Sequence, residues 1–376
     1  MRVLVDCVPI LVGGGVQAAV AVLAGLRDRP NVVWKAVLPF AIKNGLPSDF
    51  CNDERLIYVN RRSQMDRIWL KFRLQKIEHD FAPDVVFTVF GPALFKARAP
   101  HLVGFARPHL IYDDDLRLRT GLIYQGVDYF QRRSFCEADH LVVETETARA
   151  RLSRYLSIEP TRISVVGNCP NLLLQRLSND ADQSNSRFDI LIPSTHFPHK
   201  NLEIIPKVAS AMQQRAPGLD FEFRLTLPPD EAGWQGIKAA AEQLGVGHRV
   251  TTLGVVRITD LSRAYHDASA IFLPTLREVS TAVYPESFFF RRPLVTSNMD
   301  FAVELCGDAA LFVDPLDPQS SADKLVALAA DPELRRSLVD AGVRQLAKMY
   351  PTAEQKFDQQ IQLIGSLACA QKSSAN

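Results

Sequence analysis

Residues 268–297 read ASAIFLPTLREVSTAVYPESFFFRRPLVTS. Ala270, Ile271, Phe272 and Leu273 form a short apolar run closed by Pro274, which predicts a buried strand over 270–273. A helical pattern follows at about 282–290, and a second β-branched run at 293–296. Strand, helix and strand within so few residues predict a parallel crossover unit, because parallel neighbours cannot be joined by a tight turn.

Working outward, the same alternation fills the chain. Towards the N-terminus, strands are expected at 3–6, 32–38, 84–88, 101–105, 140–143 and 163–166. Amphipathic stretches lie between several of them, at 17–26, 65–81, 121–136 and 145–156. After a polar stretch at 178–187 (SNDADQSNSR) the alternation restarts, with strands at 189–193, 221–227, 249–252, 270–273, 293–296 and 310–313. Helices are expected at 202–214, 233–244 and 259–267, besides the one at 282–290. Repeated alternation of this kind is the pattern of an α/β protein with parallel sheets covered by helices on both faces. The expected organisation is therefore two doubly wound domains, 1–180 and 188–350, facing each other across a cleft. Pro332 and Pro351 open helical segments in the tail, and the last helix, about 352–370, is expected to pack back on the first domain.

Composition narrows the function classes. The chain has 376 residues, 47% of them hydrophobic and 23% charged, which is the balance of a globular protein with large cores. The net charge of +1 advertises no nucleic-acid partner. Residues 1–180 nevertheless carry 24 basic and 19 acidic side chains, a local excess of +5. The six cysteines are scattered, with no C-x-x-C and no Cys/His cluster, so neither a structural zinc site nor a disulfide framework is expected. That fits a reducing cytosol. Asp6 interrupts the first apolar run, which favours a first strand over a signal peptide. No apolar run reaches the roughly 18 residues of a membrane span.

Candidate chemistry lies in three segments. Gly13, Gly14 and Gly15 join the first strand to the first helix, where backbone can approach a ligand and a helix start favours an anion. They do not match G-x-G-x-x-G, so no dinucleotide fingerprint is present. Pro198-His199-Lys200-Asn201-Leu202 follows the first strand of the second domain, and Lys200 is placed at a helix start as a diphosphate clamp. Glu278 and Glu286 bracket a strand-to-helix turn, one in the loop and one about a turn inside the helix. Carboxylates so placed can grip vicinal hydroxyls.

Taken together with Asp260-Leu261-Ser262-Arg263-Ala264-Tyr265, with 292–298 (RPLVTSN) and with 304–315 (ELCGDAALFVDP), these segments strongly resemble the retaining, nucleotide-sugar-dependent glycosyltransferases of family 4. The E-x7-E element is Glu278 to Glu286, and the K-N-L phosphate segment is Lys200-Asn201-Leu202. The resemblance implies the GT-B fold and transfer of a hexose or deoxyhexose, mannose or rhamnose type, to a saccharide or lipid-linked glycan. It implies Glu278 at the donor sugar, Glu286 on the ribose hydroxyls, Lys200 on the diphosphate, and Gly14 and Gly15 as a turn closing over the donor. Val279, Ser280, Thr281 and Ala282 would offer backbone N–H groups. His109 would be a catalytic residue facing the acceptor and the donor sugar, with Arg107 beside it for an acceptor group or phosphate. No cofactor or metal is required, since no Asp-x-Asp motif flanks these elements. Two departures stand out. Val279-Ser280-Thr281 lacks the glycines of the usual E-G-F-G type loop, and Ser194 stands where some members carry an arginine. The glycine-free loop keeps open a non-catalytic binding partner, and a GT-B sugar-nucleotide epimerase is the other alternative.

The local basic excess centres on residues 61–76. Arg61, Arg62, Arg67, Lys71, Arg73 and Lys76 stand against Asp66, and Met65, Ile68, Trp69 and Phe72 fall at helical spacing on one face. Such a helix either lies on an anionic membrane surface from the cytoplasmic side or turns its apolar stripe onto its own sheet. The two readings differ in where Trp69 points.

Overall fold

The computed structural model describes residues 1–374 except 12, 44, 61–63, 113–121 and 171–186, and omits the side chains of 64–65, 122–125, 258–259 and 371–374. Val12, Arg61, Arg62, Gly121 and the polar linker up to Ser186 therefore lie outside the described residues, as does the side chain of Met65. The chain divides into two compact units, one formed by Met1–Gly167 with Pro351–Asn376 and one by Asn168–Tyr350.

In the first unit the order is β1 (Arg2–Asp6), α1 (Gly14–Arg27), β2 (Val33–Pro39), α2 (Phe40–Lys43), β3 (Leu56–Val59), α3 (Gln64–Phe81), β4 (Val85–Thr88) and β5 (His101–Gly104). Then come α4 (Pro108–Ile111), α5 (Leu122–Cys136), β6 (His140–Val143), α6 (Glu146–Leu156) and β7 (Ile163–Val165). The second unit holds β8 (Phe188–Ile192), α7 (Ile205–Arg215), β9 (Phe221–Leu225), α8 (Ala232–Gln243), β10 (Val250–Thr252), α9 (Ile258–Asp267) and β11 (Ala270–Leu273). It continues through α10 (Val283–Phe289), β12 (Leu294–Ser297), α11 (Asp300–Cys306), β13 (Ala310–Val313), α12 (Pro318–Ala330) and α13 (Pro332–Met349). The chain then returns to the first unit as α14 (Ala353–Ser374).

Both sheets are parallel throughout, ordered β3-β2-β1-β4-β5-β6-β7 and β10-β9-β8-β11-β12-β13. Their strands read as near-continuous apolar runs because helices cover both faces. On one face of the first sheet Val3, Val5, Val85 and Phe87 pack with Ala19, Leu23 and Leu26 of α1 and with Phe357, Ile364 and Ala368 of α14. On the other, Leu4, Val37 and Val86 pack with Leu70, Leu74 and Phe81 of α3. The second core gathers Ile190, Ile192, Phe223 and Phe272 from strands with Val208, Met212, Ile237 and Leu325 from helices. In each sheet the strand order reverses once, between β1 and β4 and between β8 and β11. Loops leaving the carboxyl ends of strands part at these points and leave a crevice, the usual ligand position in an open α/β sheet.

A buried polar chain crosses the first sheet. The Thr88 hydroxyl donates to Asp6 Oδ2 (3.1 Å) and meets His101 Nε2 at 2.8 Å, so the imidazole donates from Nε2. Burial lowers the His101 pKa to about 4. The unfolded chain takes up a proton near pH 6.5, whereas the folded one resists it until about pH 4. The stability this imidazole contributes is complete above pH 6.5 and is lost as pH falls towards 4, by about 3 kcal/mol. Urea titrations at pH 7, 5.5 and 4 should show His101→Gln with a flatter acid limb than the parent. Parallel limbs would remove His101 as the cause.

Candidate active site

The switch point of the second sheet receives the loop after β8 and the loop after β11. Lys200 comes from the first and Glu278 from the second, and the ammonium of Lys200 donates to Glu278 Oε1. Both side chains are largely buried, 17% and 10% exposed. An ion pair with so little water around it acts strongly on whatever charge enters beside it.

Lys200 does not stand at the start of an α-helix, as the sequence pattern suggested. It ends a single 3-10 turn, Pro198–Lys200; a second turn, Leu202–Ile204, follows, and α7 begins only at Ile205. Pro206 sets that later start, since proline suits the first turn of a helix, where its missing N–H costs nothing. The lysine therefore acts as a charge on a fixed loop, without the free amides of α7 beside it.

Asn201 fixes the loop. It sits in the left-handed region (φ 56), a conformation that asparagine tolerates, and its side-chain amide donates to Pro274 O (3.2 Å) and Pro315 O (2.6 Å). A further bond runs from Leu276 N to His199 O (2.8 Å). The loops after β8, β11 and β13 are thereby tied to one another. Both amide hydrogens of Asn201 are engaged by these carbonyls, so its side chain holds the loop in place.

Glu286 lies inside α10 and is 5% exposed. The Tyr265 hydroxyl of α9 donates to its Oε2 at 2.8 Å, and the Tyr265 ring is stacked on Phe290 at 4.9 Å. Burial, and secondarily the Glu286 charge, push the Tyr265 phenol well above its ordinary range, so it stays a donor. Beneath the turn, Thr296 donates to Leu273 O (3.0 Å) and lies 2.9 Å from the Tyr284 hydroxyl, binding β12 and α10 to the end of β11. Residues 279–282 lead directly into α10. Ser280 Oγ is buried there and has no hydrogen-bond partner among the described residues. In this glycine-free loop it supplies an unspent polar atom. His196 meets Glu203 (2.7 Å), and its ring occupies the space a side chain at Gly233 would need.

In the first unit, Gly13 takes the positive φ (+70), Gly14 opens α1 with free space where a side chain would stand, and Gly15 lies against Ile10. His109 falls in the short helix α4, just beyond the end of β5, and Arg107 donates to Gly91 O (3.3 Å). Among the described residues no group of three or more His, Cys, Asp or Glu side chains is placed to hold a metal ion.

Tyr265 is the site residue that the sequence did not reveal. Its signal was its inward position on an amphipathic helix, but only the fold shows which carboxylate it meets. Glu286→Ala should weaken binding of a nucleoside diphosphate by roughly 1–3 kcal/mol, and Tyr265→Phe by about 1 kcal/mol, in calorimetry. Unchanged binding in Glu286→Ala would detach that residue from the nucleotide.

Residues 187–331 match the family model described as Glycosyl transferases group 1. D-inositol 3-phosphate glycosyltransferase of Corynebacterium glutamicum is 26% identical over 225 residues, 54% of this chain and 54% of that protein. The chain thus spans about half the length of the curated relatives it matches. Among solved structures, Anabaena Alr3699/HepE in complex with UDP and glucose superposes with a TM-score of 0.75 at 14% identity, over 97% of this chain and 100% of that one. WaaG, a glycosyltransferase involved in lipopolysaccharide biosynthesis, gives 0.73 at 13% identity over 95% and 99%. These likenesses show the fold: two parallel-sheet, Rossmann-like units, as in GT-B glycosyltransferases.

Proposed function

We propose that the protein is a retaining GT-B glycosyltransferase of the family 4 type. It moves a hexose or deoxyhexose, mannose or rhamnose type, from a nucleotide diphosphate to a hydroxyl of a saccharide or lipid-linked acceptor. The reading places this step in polysaccharide, O-antigen-like or lipopolysaccharide synthesis, at the cytoplasmic face of a membrane. The observation that carries it is the Lys200–Glu278 pair at the switch point of the second sheet. A buried cation beside a buried carboxylate suits a donor with a diphosphate at one end and sugar hydroxyls at the other.

In the reaction, the bond from the anomeric carbon to the diphosphate oxygen breaks, and the acceptor oxygen bonds to that carbon on the same face. The acceptor's proton passes to the departing diphosphate. Negative charge grows on the leaving oxygen, and Lys200 on its tied loop stabilises it without having to reorganise. Glu278 turns from the ammonium to the donor sugar, Ser280 and the backbone of 279–282 meet the phosphates, and Glu286, aimed by Tyr265, holds the ribose. Gly14 and Gly15 close over the donor, and His109 and Arg107 serve the acceptor side. None of these roles calls on a cofactor.

The test is an assay of nucleotide sugars with and without saccharide acceptors, scored for transfer, anomeric configuration and donor hydrolysis. Acceptor-dependent product with retained configuration supports the reading. Product without acceptor would indicate an epimerase, and binding without turnover a non-catalytic partner.

A further inference from the structure

We infer that α3 and α5 together form a docking face for an anionic lipid bilayer. Helix α3 is apolar on two sides. Leu70, Leu74 and Phe81 are buried against the sheet. Ile68, Trp69 and Phe72 point away from it and are 56%, 72% and 60% exposed. The reading in which Trp69 packs on its own sheet is thereby corrected: the inward stripe of α3 is made by other residues, one step round the helix. Arg67, Lys71, Arg73 and Lys76 are exposed beside the outward apolar group. Phe40, half exposed, lines a shallow depression with Trp69, Asp66 and Arg73.

Helix α5 repeats the arrangement on the same face of the sheet. A side chain built at Gly91 would meet both Phe135 of α5 and Val103 of β5, and Val103 alternates with Leu102, which belongs to the α1 and α14 side. The α5 helix therefore lies on the α3 side. The segment between them is anchored to both, through Ser134 Oγ to Ala93 O (2.9 Å) and through Glu78 Oε1, which accepts from the backbone of Arg98 and Ala99. On its outer side α5 presents Tyr129 and Phe130, 61% and 70% exposed, with Arg133, paired to Glu137, alongside.

Aromatic rings raised above a rigid sheet and flanked by lysines and arginines suit one partner chemistry. Rings enter the headgroup boundary while long basic side chains reach anionic phosphates. Each basic residue adds about 1 kcal/mol at such a surface. Among the described residues no helix is long and apolar enough to cross a membrane, so the contact is lateral.

Fluorescence of the full chain tests this directly. Trp34 and Trp234 are buried, so Trp69 supplies the solvent-exposed emission. Vesicles of 30% phosphatidylglycerol in phosphatidylcholine should blue-shift it and protect it from iodide, whereas pure phosphatidylcholine should not. Salt should weaken the effect. Changing Arg67, Lys71, Arg73 and Lys76 to Gln should lower partitioning at least about a hundredfold. Phe130→Ser should lower it about tenfold in sedimentation. All these side chains are exposed, so melting curves should not move, and nucleoside diphosphate affinity should stay unchanged whatever the enzyme's reaction. An unshifted Trp69, equal binding to neutral vesicles, or shielding of Trp69 by self-association without lipid would overturn the proposal. Full binding by Phe130→Ser would remove α5 from it.

Discussion

Lys200→Ala is expected to lower turnover by roughly 10²–10³, the scale of losing one preorganised charge from a leaving group. The structure adds a second consequence. Glu278 is buried, and losing the ammonium takes an opposite charge away from its carboxylate, which should destabilise the second unit by about 3 kcal/mol. The two effects separate in a double variant. Lys200→Ala with Glu278→Gln should regain much of the lost stability and none of the lost turnover. Lys200→Arg should restore only part of the rate, because a planar guanidinium does not replace a compact ammonium on a fixed loop. Steady-state kinetics beside urea unfolding read both quantities. Full activity in Lys200→Ala would end the assignment.

A larger structural effect is expected at the end of β5. A Cβ on Gly104 would lie 1.9 Å from Val89 O, and that carbonyl belongs to backbone that cannot swing aside. The same glycine accepts from Gly91 N through its own carbonyl (2.7 Å), so both flanks of the position are fixed. Gly104→Ala should cost about 4 kcal/mol or more, enough to unfold the first unit at moderate temperature. Gly126→Ala is the matched control. That glycine lies in α5 with open space where a side chain would go, and alanine there should raise stability by about 0.5–1 kcal/mol. Melting curves of the two variants should therefore move in opposite directions. Equal curves would refute the packing argument.

The parallel strands were legible because burial on both faces turns each into a near-continuous apolar run, as at 190–192 and 270–273. The strand Leu56–Val59 was not. It is a four-residue edge strand preceded by Asp53, Glu54 and Arg55, and its pattern is only half buried. The four-residue helices Phe40–Lys43 and Pro108–Ile111 are too short to show a period. The spacing of Glu278 and Glu286 could be read directly, because a strand-to-helix turn is local. What surrounds those carboxylates could not, since Lys200 meets Glu278 across 78 positions and Tyr265 meets Glu286 from a different helix. The direction of Trp69 was undecidable for another reason: a helix with apolar residues on two sides offers two possible inward stripes, and only the sheet chooses.

The closing helix α14 has a consequence for how the chain is made. Phe357 fills the space over Gly25, Arg29 pairs with Asp358, and Ile364 and Ala368 complete the core around β1. Strand β1 is thus covered in full only after α14, made some 350 residues later, has docked. At about 5–20 residues per second, roughly 20–70 s separate the synthesis of α1 from that of α14. During that interval the second unit, contiguous from Asn168 to Tyr350, can complete its core. The inward face of α1, with Leu23 and Leu26, meanwhile waits without its α14 partner. Newborn chains should therefore call on a chaperone through the inward face of α1, and be released only once α14 has docked.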